Sequence, residues 1–131
     1  MTDRLNPPGL AKPTGYSHVA ITPAGRQAHV SGQVAFDASG KLVGEGDLAA
    51  QAEQVYANLV TALTAAGTDI SRVFRMVTYV VGLTPETAAI VRRVRMKHLG
   101  EGPYPASTMV GTPALVLPGL LIEVEASATL D

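Results

Sequence analysis

The chain has 131 residues, a hydrophobic fraction of 47% and a formal net charge of −1. This length and composition predict a single domain, residues 1–131, with enough apolar side chains for a core. The near-neutral charge gives no indication of a nucleic-acid or membrane partner, and no apolar run approaches the ~20 residues that a membrane span needs. The chain has no cysteine, which excludes disulfides and thiolate chemistry. The N-terminus lacks an apolar signal core, so we expect a cytoplasmic protein.

The first third of the chain predicts short strands separated by turns. Residues 1–15 are rich in Pro and Gly and show no periodicity. Tyr16–Thr22 and Gln27–Ser31 have the pattern of strands, and the turn signal Pro23–Gly25 between them predicts a hairpin. Gly32 interrupts the second strand, and a glycine inside a strand pattern often marks a bulge or a close backbone approach.

Two helices are predicted from their caps and from apolar residues at helical spacing. The first begins with Asp47 as its N-cap and ends at Gly67. The second has Thr84 as its cap, followed by a proline and an acid, and runs to about Leu99. Its last turns carry four basic residues, Arg92, Arg93, Arg95 and Lys97. We interpret the arginines as a solvated helix face rather than a basic patch.

The remaining strands complete an α+β fold. Val73–Val81 is β-branched and aromatic throughout, which is typical of a central strand covered on both faces. Thr108–Thr112 is predicted as a strand after a loop stiffened by two prolines. The last strand alternates, with Ile122, Val124 and Ala126 on one face and Glu123 and Glu125 on the other. We expect a mixed six-stranded sheet with both helices on one face, and another copy of the chain over the face that they leave open.

Few residues carry a recognisable chemical signature. The three histidines lack ligand spacing, so no metal site is predicted, and neither a nucleophile elbow nor a phosphate loop occurs. Glu123 and Glu125 lie roughly 6–7 Å apart on one strand face. On an exposed edge they are ordinary solvated carboxylates. If a subunit contact buries them, desolvation makes one of them a candidate acid or water-holding group.

Several segments together match a known pattern: Asn6-Pro-Pro-Gly9, Tyr16, Ser31-Gly-Gln33, Asn58-Leu59, Tyr79-Val80, Pro105-Ala-Ser-Thr108 and Ile122-Glu-Val-Glu-Ala126. With them the chain resembles the RidA/YjgF family of reactive-intermediate deaminases over nearly its whole length. The resemblance implies a chorismate-mutase-like fold and a homotrimer whose three sheets form a central barrel with the helices outside. It also implies clefts between subunits that hydrolyse enamines or imines, such as 2-aminoacrylate, without a metal or organic cofactor.

The resemblance further implies a set of site residues. Tyr16 and Glu123 match the catalytic tyrosine and the glutamate that holds the attacking water. Five positions match the family's substrate-binding residues: Ser31, Gly32, Ser107, Thr108 and Ile90, where the family often has Asn. Active deaminases anchor the substrate carboxylate with an arginine in a Pro-Ala-Arg-Ser motif, and Ser107 takes its place here. The loss of a charge-assisted hydrogen-bonded pair weakens binding by about 1.5–3 kcal/mol.

Three functions remain open at this point. The first is a hydrolase of an enamine, imine or related C–N substrate that differs from the standard 2-aminoacrylate deaminase, because Ser107 replaces the arginine. Its substrate either lacks the carboxylate or is held by another cation such as Arg92 or Arg95. The second is a non-catalytic module that binds a small ligand in the intersubunit cleft. The third is the ribonuclease or chaperone activity attached to some members of the family, and the near-neutral charge gives the ribonuclease activity no support.

Overall fold

Six strands and two α-helices form the fold of this computed structural model, which describes all 131 residues. In chain order the elements are β1 (Asp3–Leu5), β2 (Val19–Ile21), β3 (Gln27–Gln33), α1 (Leu48–Ala66), β4 (Val73–Val81), α2 (Pro85–Leu99), β5 (Ala106–Thr112) and β6 (Ile122–Thr129). A short 3-10 helix, Ile70–Arg72, leads into β4. The predicted α+β class is confirmed, and both helices and the central strand begin and end where their sequence signals predict.

The strands are divided between two sheets. The larger sheet has the order β3-β6-β4-β5, and β1 pairs with β2 in a separate two-stranded sheet. β4 and β5 run parallel and are connected through α2, whereas the other pairs are antiparallel. The sheet is therefore mixed, as predicted, but the single six-stranded sheet is replaced by one of four strands and one of two.

The predicted hairpin of β2 and β3 is wrong. β3 pairs with β6, with Gln27 opposite Thr129. β2 pairs with β1, which lies within residues 1–15, the segment that shows no periodicity. A local turn signal cannot reveal a partner strand about 100 residues away. β6 offers β3 an alternating apolar face, whereas β2 has only three residues.

Both helices pack on the same face of the larger sheet. Asp47 caps α1 by accepting a hydrogen bond from the Ala50 amide, and Gly67 ends it in the left-handed conformation. Thr84 caps α2 in a capping box with Thr87. The helices cover the apolar side of β6, and the core contains fifteen buried residues drawn from both helices, the sheet and the segment after β3.

The buried side chain of Gln51 connects α1 to two loops. Its amide donates hydrogen bonds to the carbonyls of Gly44 and Gly119, at 3.1 and 2.9 Å, and its carbonyl accepts the Leu121 amide at 2.8 Å. These three bonds satisfy a polar side chain that is completely buried. They also fix the start of β6, and therefore the position of Glu123.

The other face of the larger sheet is not covered by any element of this chain. The cross-strand register places Tyr79, Glu123 and Val110 side by side on this face, with Val110 40% exposed. Neither helix combines the length and apolarity needed to span a bilayer. An open sheet face with half-buried Tyr79 and exposed Val110 is suited to contact with another protein surface.

Candidate functional site

Two hydrogen bonds made by Ser17, which together form the Ser17 latch, place Tyr16 beside β5. The Ser17 hydroxyl donates to the Tyr104 carbonyl at 2.6 Å, and the Ser17 amide donates to the Pro105 carbonyl at 2.9 Å. Ser17 also forms an isolated parallel bridge with Ala106. The segment before β2 is therefore fixed against the stiff proline loop, and this contact brings Tyr16 to the start of β5.

Tyr16 and Ser107 line the same pocket. It has a volume of about 150 Å³ and six lining residues, Thr14, Tyr16, Arg92, Arg95, Ser107 and Met109. Both are predicted site residues, and this pocket lies within a single chain. The sequence analysis does not predict Thr14 and Met109, and it offers the two arginines as possible substitute cations.

Arg95 is buried in the wall of this pocket and is 4% exposed. It donates one hydrogen bond, from Nη1 to the Ser107 hydroxyl at 3.3 Å, and its Nε has no partner. The chain's salt bridges involve other cations, so no carboxylate pairs with Arg95. Burial lowers the pKa of Arg95, and the nearby positive charge of Arg92 lowers it further, although the interaction with Tyr56 opposes both.

The solvated helix face predicted for α2 is correct for Arg92 and Arg93, which are exposed, and wrong for Arg95. Val91, Val94 and Arg95 have the i, i+3, i+4 spacing of a buried helix stripe, and all three are buried. That spacing is the sequence signal that could have identified Arg95 as a buried residue.

A second group of predicted residues lies at the β3–β6 pair. The β3 register shifts between Val30 and Gln33, so Ser31 and Gly32 form a bulge. A Cβ built on Gly32 would lie 2.1 Å from Glu123 Oε2, which means that the carboxylate occupies the space a side chain would need. Ser31 is exposed and Glu123 is half-buried beside this bulge. The absence of a side chain at Gly32 is what lets the glutamate approach the strand this closely.

Glu125 follows Glu123 on the same open face but in a different environment. It is exposed and accepts a hydrogen bond from the Tyr79 hydroxyl at 3.3 Å. The Glu125 carboxylate raises the pKa of the Tyr79 hydroxyl, because its negative charge disfavours phenolate formation. Of the two carboxylates, Glu123 is the one that packs against β3 at Gly32.

Two of the predicted site residues, Thr108 and Ile90, lie neither in the pocket of Tyr16 and Ser107 nor beside the β3 bulge. Thr108 is paired with Val77 on the open face, whereas Ser107 is paired with Met76 on the helix-covered face. The two neighbours therefore point to opposite sides of the sheet. Ile90 is half-buried on α2 and does not line the pocket of Tyr16 and Ser107.

One chain does not assemble all the predicted residues into one site. Glu123 lies on the open face beside the β3 edge, and Ser107 lies on the helix-covered face of the β5 edge. We call these the Glu123 group (Ser31, Gly32 and Glu123) and the Arg95 group (Tyr16, Arg92, Arg95 and Ser107). The chain also has no cluster of three or more histidine, aspartate or glutamate side chains that could hold a metal ion.

The fold and the two groups define a small α+β protein with a polar group of residues near each edge of its main sheet. The family model described as Endoribonuclease L-PSP matches residues 9–130, and the chain belongs to this family, to which the RidA/YjgF proteins also belong. The chain is 34% identical over 113 residues to Protein DfrA of Myxococcus xanthus, covering 86% of this chain and 83% of that protein.

Solved structures support the same assignment. A Yersinia pestis member of the conserved Rid family is 41% identical, with a TM-score of 0.91 and 98% coverage of both chains. RidA from an Antarctic Psychrobacter is 29% identical, with a TM-score of 0.71 and 91% coverage of both. A Mycobacterium tuberculosis member of the YjgF/YER057c/UK114 family is 30% identical, with a TM-score of 0.67 and coverage of 88% of this chain and 86% of that one.

Proposed function

We propose that this protein is a metal-independent hydrolase of a small enamine, imine or related C–N substrate, and that its site is a cleft between subunits of a homotrimer. The observation that carries the proposal is the position of the Glu123 carboxylate against Gly32. Its Oε2 atom lies 2.1 Å from the point where a Cβ on residue 32 would be. A carboxylate held in this way on an otherwise open sheet face is suited to a fixed role. Family membership supports the reaction class.

The separation of the two groups supports the oligomer. They lie on opposite faces and near opposite edges of the sheet, so they cannot surround one small substrate within a single chain. A neighbouring copy that brings its Glu123 group to the Arg95 group would complete the cleft. The same contact would cover the open sheet face, where Val110 is exposed. We also propose that the protein is cytoplasmic.

The reaction needs only water and proton transfer. Water adds to the imine carbon, the C–N bond of the resulting carbinolamine breaks, and ammonia and the carbonyl product leave. In this proposal Glu123 orients the water, accepts one of its protons during the attack and passes that proton to the nitrogen, which gives the carbinolamine. When the carbinolamine breaks down, Glu123 takes the hydroxyl proton as the carbonyl forms and delivers it to the departing nitrogen, which leaves as ammonia. Tyr16 donates a hydrogen bond to the substrate from the opposite wall. No organic cofactor takes part in the proposed steps.

The test is imine hydrolysis in a coupled assay. A serine/threonine dehydratase generates 2-aminoacrylate or 2-iminobutyrate, semicarbazide traps the remaining imine, and keto-acid release is followed. A second arm uses neutral imines that lack a carboxylate. We expect acceleration above buffer by the native protein, and loss of about 10²-fold or more in Glu123→Ala. Glu125→Ala is the matched control, because Glu125 lies on the same strand face but is exposed. Inertness towards all of these imines would overturn the hydrolase.

A binding module is the second candidate, and the neutral side chain of Ser107 favours it. The family's active deaminases have an arginine at this position, and a serine supplies one uncharged donor instead. A protein that only binds its ligand would show a higher melting temperature with the keto acid present, without forming product from any imine. The Tyr16→Phe variant would then change ligand affinity and have no turnover to lose.

A further inference from the structure

Arg95 is a buried cation with few partners inside its own chain. A guanidinium has five N–H donors, and the structure gives Arg95 one hydrogen bond, to a neutral hydroxyl. Only 4% of its surface is exposed, and its Nε has no hydrogen-bond partner. A buried, unpaired charge destabilises a fold, so a side chain of this kind requires another explanation.

The groups around Arg95 supply no negative charge. Tyr56 is close enough to interact with it, but burial raises the pKa of the Tyr56 phenol, which stays neutral. Arg92 adds a second positive charge at the pocket mouth, and Ser107 and Tyr16 add hydroxyls. A pocket lined by two guanidiniums and two hydroxyls is complementary to a small anion.

The loop that carries Tyr16 encloses the guanidinium. A Cβ on Gly15 would lie 3.4 Å from Arg95 Nη2 and 3.0 Å from Met96 Sδ, and Gly15 has a φ of 77°. The Ser17 latch fixes this loop to Tyr104 and Pro105. Arg95 is thus held in one position, which lowers the entropy lost when it binds a ligand.

We propose that Arg95 is the anchor for a substrate carboxylate in this cleft, in place of an arginine at position 107. The inference rests on the proposed function and identifies its substrate class as carboxylate-bearing imines or enamines. The cation enters the pocket from α2 rather than from β5, and Ser107 accepts a hydrogen bond from it at 3.3 Å. Arg95 is a binding residue in this proposal, while Glu123 acts on the water.

The first experiment measures binding without turnover. Calorimetry compares 2-oxobutyrate, the keto acid released from 2-iminobutyrate, with its neutral amide and with inorganic phosphate. We expect the native protein to bind the keto acid about 10- to 100-fold more tightly than the amide, because a charge-assisted pair is lost with the amide. We expect Arg95→Met to remove this preference. Arg93→Met, an exposed cation on the same helix, is the control and should retain it.

The second experiment moves the cation. Ser107→Arg alone places a second guanidinium against Arg95, so we expect weaker folding and no gain in affinity. Ser107→Arg combined with Arg95→Ser restores one cation and one hydroxyl in exchanged positions. We expect this double variant to recover at least part of the keto-acid preference lost in Arg95→Ser. A purely structural role of Arg95 would give no such recovery.

Three results would overturn the anchor. These are equal affinity for the acid and the amide, tighter binding of phosphate than of the keto acid, and dissociation of the oligomer by Arg95→Met, which would make Arg95 a partner of a neighbouring subunit's carboxylate. Its failure is distinguishable from failure of the proposed function. Arg95-dependent binding without turnover retains the anchor and removes the hydrolase. Turnover of neutral imines that is indifferent to Arg95 does the reverse.

Discussion

Replacing Gly32 with alanine tests whether the close contact between β3 and Glu123 matters for activity. The new Cβ would meet Glu123 Oε2 at 2.1 Å, Cδ at 2.7 Å and Cγ at 2.9 Å, whereas ordinary contacts begin at 3.4 Å. The carboxylate must therefore retreat by about 1 Å, and a displacement of this size can lower a rate about 100-fold. We expect a loss of that order in kcat for imine hydrolysis.

The fold should tolerate the same change. Gly32 does not adopt the positive φ that favours glycine, so alanine fits its backbone. The cost is confined to a rotamer shift of Glu123, which is at most about 1.5 kcal/mol of the free energy of unfolding. Denaturant unfolding at fixed protein concentration measures this cost, and the coupled assay measures the rate.

A double-mutant cycle separates the contact from other effects of the methyl group. In the Glu123→Ala background the carboxylate is absent, so Gly32→Ala should cause no further loss of activity. Gly9→Ala is a control, since nothing lies within 4 Å of a Cβ at that position. If Gly32→Ala retained full activity while Glu123→Ala lost it, the close contact would not be what positions the carboxylate, and the argument from Gly32 would be refuted.

Three further predictions concern stability. Gln51→Leu removes three hydrogen bonds of a completely buried side chain. We expect chemical denaturation to show a fall of about 2–4 kcal/mol in the free energy of unfolding, and no fall would mean that water replaces the lost amide. Arg95→Met removes an unpaired buried charge, so the free energy of unfolding without ligand should stay the same or rise by about 1 kcal/mol or more; a clear fall would indicate a structural role. Lys97 and His98 hydrogen-bond to Glu53 and keep the pKa of this carboxyl below its usual value of 4.5, with Lys97 contributing most. The native state therefore gains stability above that pH and loses it as the pH falls through the lowered pKa. Because the pair is exposed, Glu53→Gln should cost less than about 1 kcal/mol at pH 7 and nothing near pH 2, as measured by thermal unfolding across pH.

The parts of the fold that were predictable from sequence are those with local signals. Asp47, Gly67 and Thr84 cap the helices through hydrogen bonds to residues three or four positions away, and both helices have the predicted bounds. The glycine inside the Gln27–Gln33 strand, β3, predicts a bulge or a close backbone approach, and Gly32 shows both. The strand pairing was not predictable in the same way, because β3 selects β6 across the whole length of the chain.

The candidate site shows the same limit. Tyr16 and Ser107 were expected from the resemblance, and the Ser17 latch, which joins positions 87 residues apart, brings them to one pocket. Neighbours in sequence can also be separated, as Thr108 and Ser107 are by the alternation of β5. Arg95 carried a local signal in its spacing from Val91, but a charged residue on a buried stripe is easily read as a solvated one.

A serine at position 107 does not by itself leave the pocket without positive charge, because Arg92 and Arg95 line it. A strand residue and a helix residue reach the same space from different directions, and the 3.3 Å contact between Arg95 and Ser107 shows how small the separation is. A cation on α2 would approach a bound carboxylate from the helix side of β5, so the substrate's carbon chain would lie at a different angle to Tyr16. The site would then retain its preference for an acid while changing which acid fits. In this proposal the serine at position 107 goes with an altered substrate geometry, and the exchange of the two side chains, Ser107→Arg with Arg95→Ser, tests that link directly.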